Sequence, residues 1–216
     1  MTKPAIKVIT VFLGSRTGNK PRFIAAAKRL AQILFENDIT LLYGGGSVGL
    51  MGVLAQELHA LGGKVIGVIP GFLFEIEKPV KYGRLIQVET MMQRKEIFFA
   101  GSIDHGIPRS DSIVTMSGAG DGTIDELAEG ITLEKLLQLA QSKQPQVLVN
   151  IDNFWAGLLA QRQRMVADGF IDPEFEKKLI VVDDVEKILP AIYCARSIPE
   201  AANGGPRLVC SNGTAG

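Results

Sequence analysis

Apolar positions along this chain fall into short continuous runs, separated by longer segments whose apolar residues recur every three or four positions. The runs read as strands: Ile6–Gly14, Ile39–Tyr43, Lys64–Pro70, Leu85–Glu89, Asp111–Met116, Gln146–Ile151 and Leu179–Val182. The segments between them predict helices over Pro21–Glu36, Val48–Leu61, around Met92–Ala100, and over Thr123–Ala140, Trp155–Ala167 and Val185–Cys194. In the first of these, Phe23, Ala27, Leu30, Ile33 and Leu34 share a stripe, and Gly62-Gly63 stop the second. Strands that are apolar on both faces and separated by helices indicate a parallel sheet covered on both sides. The expected fold is therefore α/β, a doubly wound parallel sheet with helices on both faces. It forms one domain over residues 1–195, and the Pro-, Gly-, Asn- and Ala-rich tail 196–216 reads as disordered.

Two glycine-rich turns interrupt this pattern at equivalent places. Gly44-Gly-Gly-Ser-Val-Gly-Leu-Met-Gly52 follows the second strand, and Gly118-Ala-Gly-Asp-Gly-Thr-Ile-Asp-Glu126 follows the Ser112–Met116 run. Each leads into a helix. The first N–H groups of a helix have no partner inside it, and with the helix dipole they favour an anion. In doubly wound sheets ligands bind at the carboxyl ends of the strands, where both turns fall. Two such turns in one small domain point to a phosphorylated ligand.

Composition narrows the partners. The 23 basic and 23 acidic residues balance, which argues against a nucleic-acid polyanion or a membrane surface as the main partner but leaves room for a single nucleotide. Cys194 and Cys210 make no disulfide framework, and with His59 and His105 they offer no zinc-type spacing, so no metal is expected. No apolar run reaches the length of a membrane span and no signal peptide precedes the first strand, so the expectation is a cytoplasmic protein.

Gly44, Gly46 and Gly49 fit G-x-G-x-x-G. The acidic residue that would confirm a dinucleotide is missing, because the next strand ends in Val68-Ile-Pro70. A mononucleotide phosphate, or tight strand–helix packing, both remain open for this turn. Gly14-Ser-Arg-Thr-Gly18 follows the first strand, and Ser15, Arg16 and Thr17 can bond a phosphate or a base; an ordinary polar loop explains them as well. Thr123-Ile-Asp-Glu126 reads as a capping box, which accounts for the Thr–Glu pair but not for Gly118, Gly120 and Gly122 before it. Arg94 and Lys95 begin a helix, where cations oppose the dipole, a placement that hints at an external anion.

Together these segments resemble the Lonely Guy family of phosphoribohydrolases, which release free cytokinin-type bases from riboside 5′-monophosphates. The resemblance spans about Val8 to Leu189. Tyr43-Gly-Gly-Gly-Ser-Val-Gly-Leu-Met-Gly52 is similar to the family's Y-G-G-G-x-x-G-L-M-G, and Val65–Pro70 to the strand that follows it. Arg94-Lys95 resemble the end of M-H-x-R-K. Gly120, Gly122, Thr123 and Glu126 match four positions of P-G-G-x-G-T-x-x-E, and Val149–Trp155 and Asp168–Ile171 resemble later segments. The resemblance implies a Rossmann-like nucleotide-binding domain and a homodimer, or a higher homo-oligomer, with its site near the subunit interface. It makes Arg94 and Glu126 the catalytic pair. Gly14, Ser15, Gly45, Gly46, Ser47, Lys95, Gly120, Gly122 and Thr123 are the candidates for binding the substrate and its phosphate.

The implied reaction is hydrolysis of the N-glycosidic bond of a purine riboside 5′-monophosphate, N6-substituted adenine included, to free base and ribose 5-phosphate. A carboxylate at Glu126 would stabilise the oxocarbenium-like sugar, and no cofactor is needed. The chain departs from the family at Gly118 and Ala119, at Met92 in place of histidine, at Thr132–Leu136, in extra residues Gly101–Ser110, and at Asp121. A carboxylate about 4 Å from a phosphate repels it by roughly 1 to 4 kcal/mol at effective dielectrics of 80 to 20, so Asp121 is expected to face away. The alternative is a non-catalytic nucleotide- or cofactor-binding protein on the same fold. A lysine decarboxylase, the label some related sequences carry, would need a Schiff-base lysine for pyridoxal phosphate, and no lysine here has that signature.

Overall fold

A computed structural model describes residues 5–137 and 144–197. The elements run β1 (Val8–Phe12), α1 (Pro21–Glu36), β2 (Thr40–Tyr43), α2 (Gly49–Ala60), β3 (Val65–Pro70), a 3-10 turn Gly71–Leu73 with α3 (Phe74–Glu77), β4 (Arg84–Val88), α4 (Met91–Ala100) and β5 (Ser112–Thr115). They continue with α5 (Asp121–Leu137), β6 (Gln146–Val149), α6 (Ala156–Ala167), α7 (Pro173–Glu176), β7 (Leu179–Val182) and α8 (Ile188–Ser197). The predicted extension of α5 to Ala140 and the tail from residue 198 onward lie outside the described residues. Arg196 and Ser197, assigned to the tail by composition, instead complete α8, and Arg196 reaches Asp111 across 2.6 Å.

All seven strands form one parallel sheet in the order β4-β3-β2-β1-β5-β6-β7. The period-2 alternation of each strand sends apolar residues to both faces, which is why the sequence shows unbroken apolar runs. Ile9, Val11, Leu41, Tyr43 and Val114 pack with α1, α2 and α8 on one face. Val8, Phe12, Leu42 and Ile113 pack with Ile97, Phe98 and Phe99 of α4 on the other, and Leu127 of α5 packs with Leu148 and Trp155 beside them. Helix α1 begins with Pro21 at its first position, where a missing N–H costs nothing, and buries Phe23, Ala27, Leu30, Ala31 and Leu34 along one stripe. Among the described residues, no helix is long and apolar enough to cross a membrane.

The extra residues Gly101–Ser110 leave α4 and re-enter at the start of β5. They therefore lie at the amino end of the parallel strands, away from the glycine turns. Ser102 pairs with Ile107, Ile107 is buried, and Ser110 joins Thr10 and Gln144 in a buried hydrogen-bonded group. Ile103 at the tip is 98% exposed.

Candidate functional site

The strand order reverses direction at β1, since β2 lies on one side of it and β5 on the other. The loops leaving β1 and β5 flank the crevice that such a reversal creates. They touch there: a Cβ on Gly14 would run into the carbonyl of Gly118. The Gly14 carbonyl also accepts the Leu50 and Met51 N–H groups at 3.0 and 3.3 Å. Gly14 thus caps the start of α2 with its backbone, and Ser15 follows it on the exposed loop.

The two glycine turns differ in a way the sequence did not reveal. The first, Gly44–Gly52, is filled by protein. A Cβ on Gly44 would collide with Arg94 Nη2, and one on Gly52 with the Ser47 carbonyl. The Ser47 N–H already donates to the carbonyls of Glu77 and Lys78 at 3.0 and 2.8 Å, and the Gly45 carbonyl accepts Val80 N–H at 3.1 Å. Of the packing and phosphate readings, packing describes the backbone of this turn, while the Ser47 side chain remains exposed. The second turn is open. Gly118 takes a left-handed φ of 82°, and at Gly120 and Gly122 a Cβ would meet nothing. That leaves room for a ligand against the backbone.

The start of α5 corrects the capping-box expectation. Helix α5 begins at Asp121, and the Gly120 carbonyl accepts from the N–H groups of Thr123 and Ile124 at 3.0 and 3.1 Å. Thr123 is therefore inside the helix and buried, and Glu126 lies a further turn along. A capping box does exist, at Thr90 and Gln93, where the Thr90 hydroxyl accepts the Gln93 N–H and the Gln93 side chain returns to Thr90 N–H. That Thr-x-x-Gln spacing was visible in the sequence.

Helix α4 fixes both cations. Arg94 is 3% exposed; its Nη2 donates to the Gly44 carbonyl at 2.8 Å and to Glu77 at 3.1 Å, and its guanidinium carbon sits 5.6 Å from the Phe98 ring centre. Its Nε–H is buried with no acceptor in the protein. Lys95 points to α5 and pairs with Glu129 at 2.6 Å and Asp125 at 3.2 Å; the Glu129 hydrogen bond, ahead of the other effects, raises its pKa. Met92, at the family's histidine position, is 79% exposed.

Glu126 is partly buried. Burial pushes its pKa up to about 8; Arg94 and Lys95 pull it down, while Glu77 and Asp125 push it further up. A carboxyl poised near neutrality between cations is the pattern of a catalytic acid or base. The structure thus brings Arg94, Lys95 and Glu126 together across α4 and α5, beside Gly120, Gly122 and Thr123. It holds Gly45, Gly46 and Ser47 behind Arg94, under the segment that contains Glu77. Sequence reasoning missed Glu77 altogether: it lies on a four-residue helix with no motif around it, and only the fold carries it to Arg94.

Asp121 opens α5 and is exposed, and an acidic residue in the first turn complements the helix dipole. Asp121→Asn should leave nucleotide affinity within about twofold, unchanged in its salt dependence, and lower stability by about 0.3 to 1 kcal/mol. Titration with a nucleoside monophosphate at low and high salt checks this. A several-fold gain confined to low salt would place Asp121 against the phosphate.

A protein-family model described as "Possible lysine decarboxylase" matches residues 51–192. A cytokinin riboside 5′-monophosphate phosphoribohydrolase of Arabidopsis thaliana is 36% identical over 189 residues, covering 87% of this chain and 83% of its own. A second phosphoribohydrolase of that name from the same plant is 38% identical, covering 80% of this chain and 71% of its own. Among solved structures, the molybdenum cofactor carrier protein of Chlamydomonas reinhardtii superimposes with a TM-score of 0.59 at 21% identity, covering 88% of this chain and 98% of its own, a likeness of fold.

Proposed function

The chain belongs to the Lonely Guy family, and from that premise we propose how its residues hydrolyse a purine riboside 5′-monophosphate to free base and ribose 5-phosphate. The observation that carries the reading is Glu126, a partly buried carboxyl of raised pKa, set between two cations and beside the open glycine turn. The 5′-phosphate sits at the start of α5, on the N–H groups of Asp121 and Gly122, which have no carbonyl one turn back to bond. The Thr123, Ser15 and Ser47 hydroxyls add donors. Gly14, Gly45 and Gly46 shape the loops around it, and Lys95 adds positive charge.

The glycosidic bond then breaks with its electron pair leaving on the base, which takes up a proton, while positive charge spreads over C1′ and the ring oxygen. Water adds its oxygen to C1′ and releases a proton. The Glu126 carboxylate faces that developing charge and holds the ribose hydroxyls or the water. Arg94 keeps Glu126 ionisable and steadies the substrate's charged or leaving end. The "lysine decarboxylase" description does not extend to a mechanism here. A Schiff-base lysine needs a depressed pKa, and that of Lys95 is raised by Glu129. We further propose a homodimer or larger homo-oligomer, on the strength of the family resemblance, and a cytoplasmic location.

The test is to supply AMP, an N6-substituted AMP and adenosine, and to measure free base. The monophosphates should turn over. Adenosine should have a kcat/KM at least about 100-fold lower, because each charge-assisted hydrogen bond to the phosphate contributes about 1.5 to 3 kcal/mol. Equal rates on AMP and adenosine would remove the phosphate argument. Binding without turnover would favour a non-catalytic nucleotide- or cofactor-binding protein.

A further inference from the structure

The segment Gly71–Val80, between β3 and β4, lies over the first glycine turn and touches the site at several points. The Glu77 and Lys78 carbonyls hold the Ser47 N–H, Gly46 bridges to Pro79, and the Gly45 carbonyl holds Val80. Lys78 turns the chain with φ 49° and ψ 90°, a left-handed φ rare in a non-glycine residue, so the fold holds the chain there against its preference. The carboxylate of Glu77, the residue before that turn, meets Arg94 Nη2 at 3.1 Å. Both side chains are largely buried, at 15% and 4% exposure.

We propose that Glu77 is the positioning residue of the site: it holds the Arg94 guanidinium in place against the Gly44 carbonyl and adds its own negative charge to the buried cluster around Arg94. One residue thereby links three parts. Its backbone closes the first glycine turn, its carboxylate fixes the cation, and its field reaches the reacting carboxyl. The charged groups around Glu126 are Arg94 and Lys95 from α4, Glu77 from α3 and Asp125 from its own helix; Glu77 and Asp125 disfavour its ionised form, while the two cations favour it.

This inference rests on the catalytic reading of Glu126, so its test must separate the two. The first measurement needs no turnover: titrate the Glu126 side-chain carboxyl by carbon NMR in the parent, Glu77→Gln and Glu77→Asp. Glu77→Gln keeps an oxygen for Arg94 but removes the charge, and the Glu126 midpoint should fall by about 0.5 or more in pH. Glu77→Asp keeps the charge and should hold the midpoint near the parental value. The second measurement is the pH profile of kcat and KM on AMP. Glu77→Gln should move the rising limb to lower pH by the same amount and cut the limiting kcat about tenfold, with a smaller change in KM. Glu77→Asp should recover part of that kcat.

A Glu126 midpoint that does not move in Glu77→Gln overturns the inference, whatever the enzyme does. An activity loss that only tracks the folded fraction, followed by circular dichroism, overturns it also. If the parent turns over no monophosphate while the midpoint still shifts, the functional reading fails and the electrostatic role of Glu77 stands.

Discussion

Glu126→Gln should reduce turnover of a nucleoside monophosphate by about 10³-fold or more and, above pH 8, should make the protein more stable than the parent. Both effects come from one carboxyl. The amide is nearly isosteric but carries no charge to oppose the developing cation, and stabilisation of that kind is often the largest single contribution to a rate. For stability, the folded pKa of about 8 lies above the ordinary 4.5, because burial disfavours the anion. A raised pKa gives stability that is complete below about pH 4.5 and is lost as pH rises through 8. Glutamine never ionises and escapes that loss. The variant should therefore match the parent near pH 4 and exceed it by about 1 to 3 kcal/mol near pH 9, an amount held down by the partial exposure of the side chain. In the parent, kcat/KM should rise with pH to a plateau whose midpoint lies near 8, since the carboxylate is the working form. Melting curves at both pH values and a pH–rate profile check all three statements. A profile that falls through pH 8 would make Glu126 the acid that protonates the leaving base.

Arg94→Met should abolish measurable turnover and also cost about 3 to 5 kcal/mol of stability, the loss expected when one partner of a buried ion pair is removed. The Gly44 carbonyl and the Glu77 carboxylate both lose their donor. Glu126 loses a cation that favours its charged form, so its pKa should climb further. The double variant Arg94→Met with Glu77→Met distinguishes structure from chemistry. Removing both charges leaves no unpaired charge, only the Gly44 carbonyl without its donor, and most of the lost stability should return. Activity should not return. Chemical denaturation with urea, paired with the AMP assay on the same samples, gives the answer. Restored turnover in the double variant would mean that Arg94 serves only to hold the fold together.

The sheet was legible because its physics is local. A strand buried on both faces is apolar at most positions, and the strand runs read from the sequence correspond to all seven strands among the described residues, with ends shifted by a residue or two. Arg94 and Glu126 were legible as candidates because charged residues beside glycine turns suit an anionic ligand, and the family resemblance singled out the same two positions. Glycine itself misled. It serves equally where a ligand approaches backbone and where protein does, so Gly44–Gly46 and Gly120–Gly122 look alike until the carbonyls of Gly14, Glu77 and Lys78 are seen filling the first turn. The Thr123–Glu126 spacing imitates a cap, yet Gly120 supplies the carbonyl that starts α5. The true cap lies at Thr90, directly before Met91, with Gln93 three residues on to close the box. Glu77 could not be read at all. Its role depends on the path of Gly71–Val80 over a neighbouring loop, and that path is set by tertiary packing.

The loop Gly101–Ser110 separates what the chain can vary from what it must keep. Its ends are only a short hairpin apart, its tip residue Ile103 is almost wholly in solvent, and Gly106 has open space around it. Lengthening such a loop adds little closure entropy, about 0.6 kcal/mol per doubling. It is therefore a natural attachment point. An epitope, a fluorescent peptide or a surface anchor inserted between Ile103 and His105 would sit at the opposite end of the sheet from Glu126, and the enzyme could be immobilised there with its catalytic face turned outward.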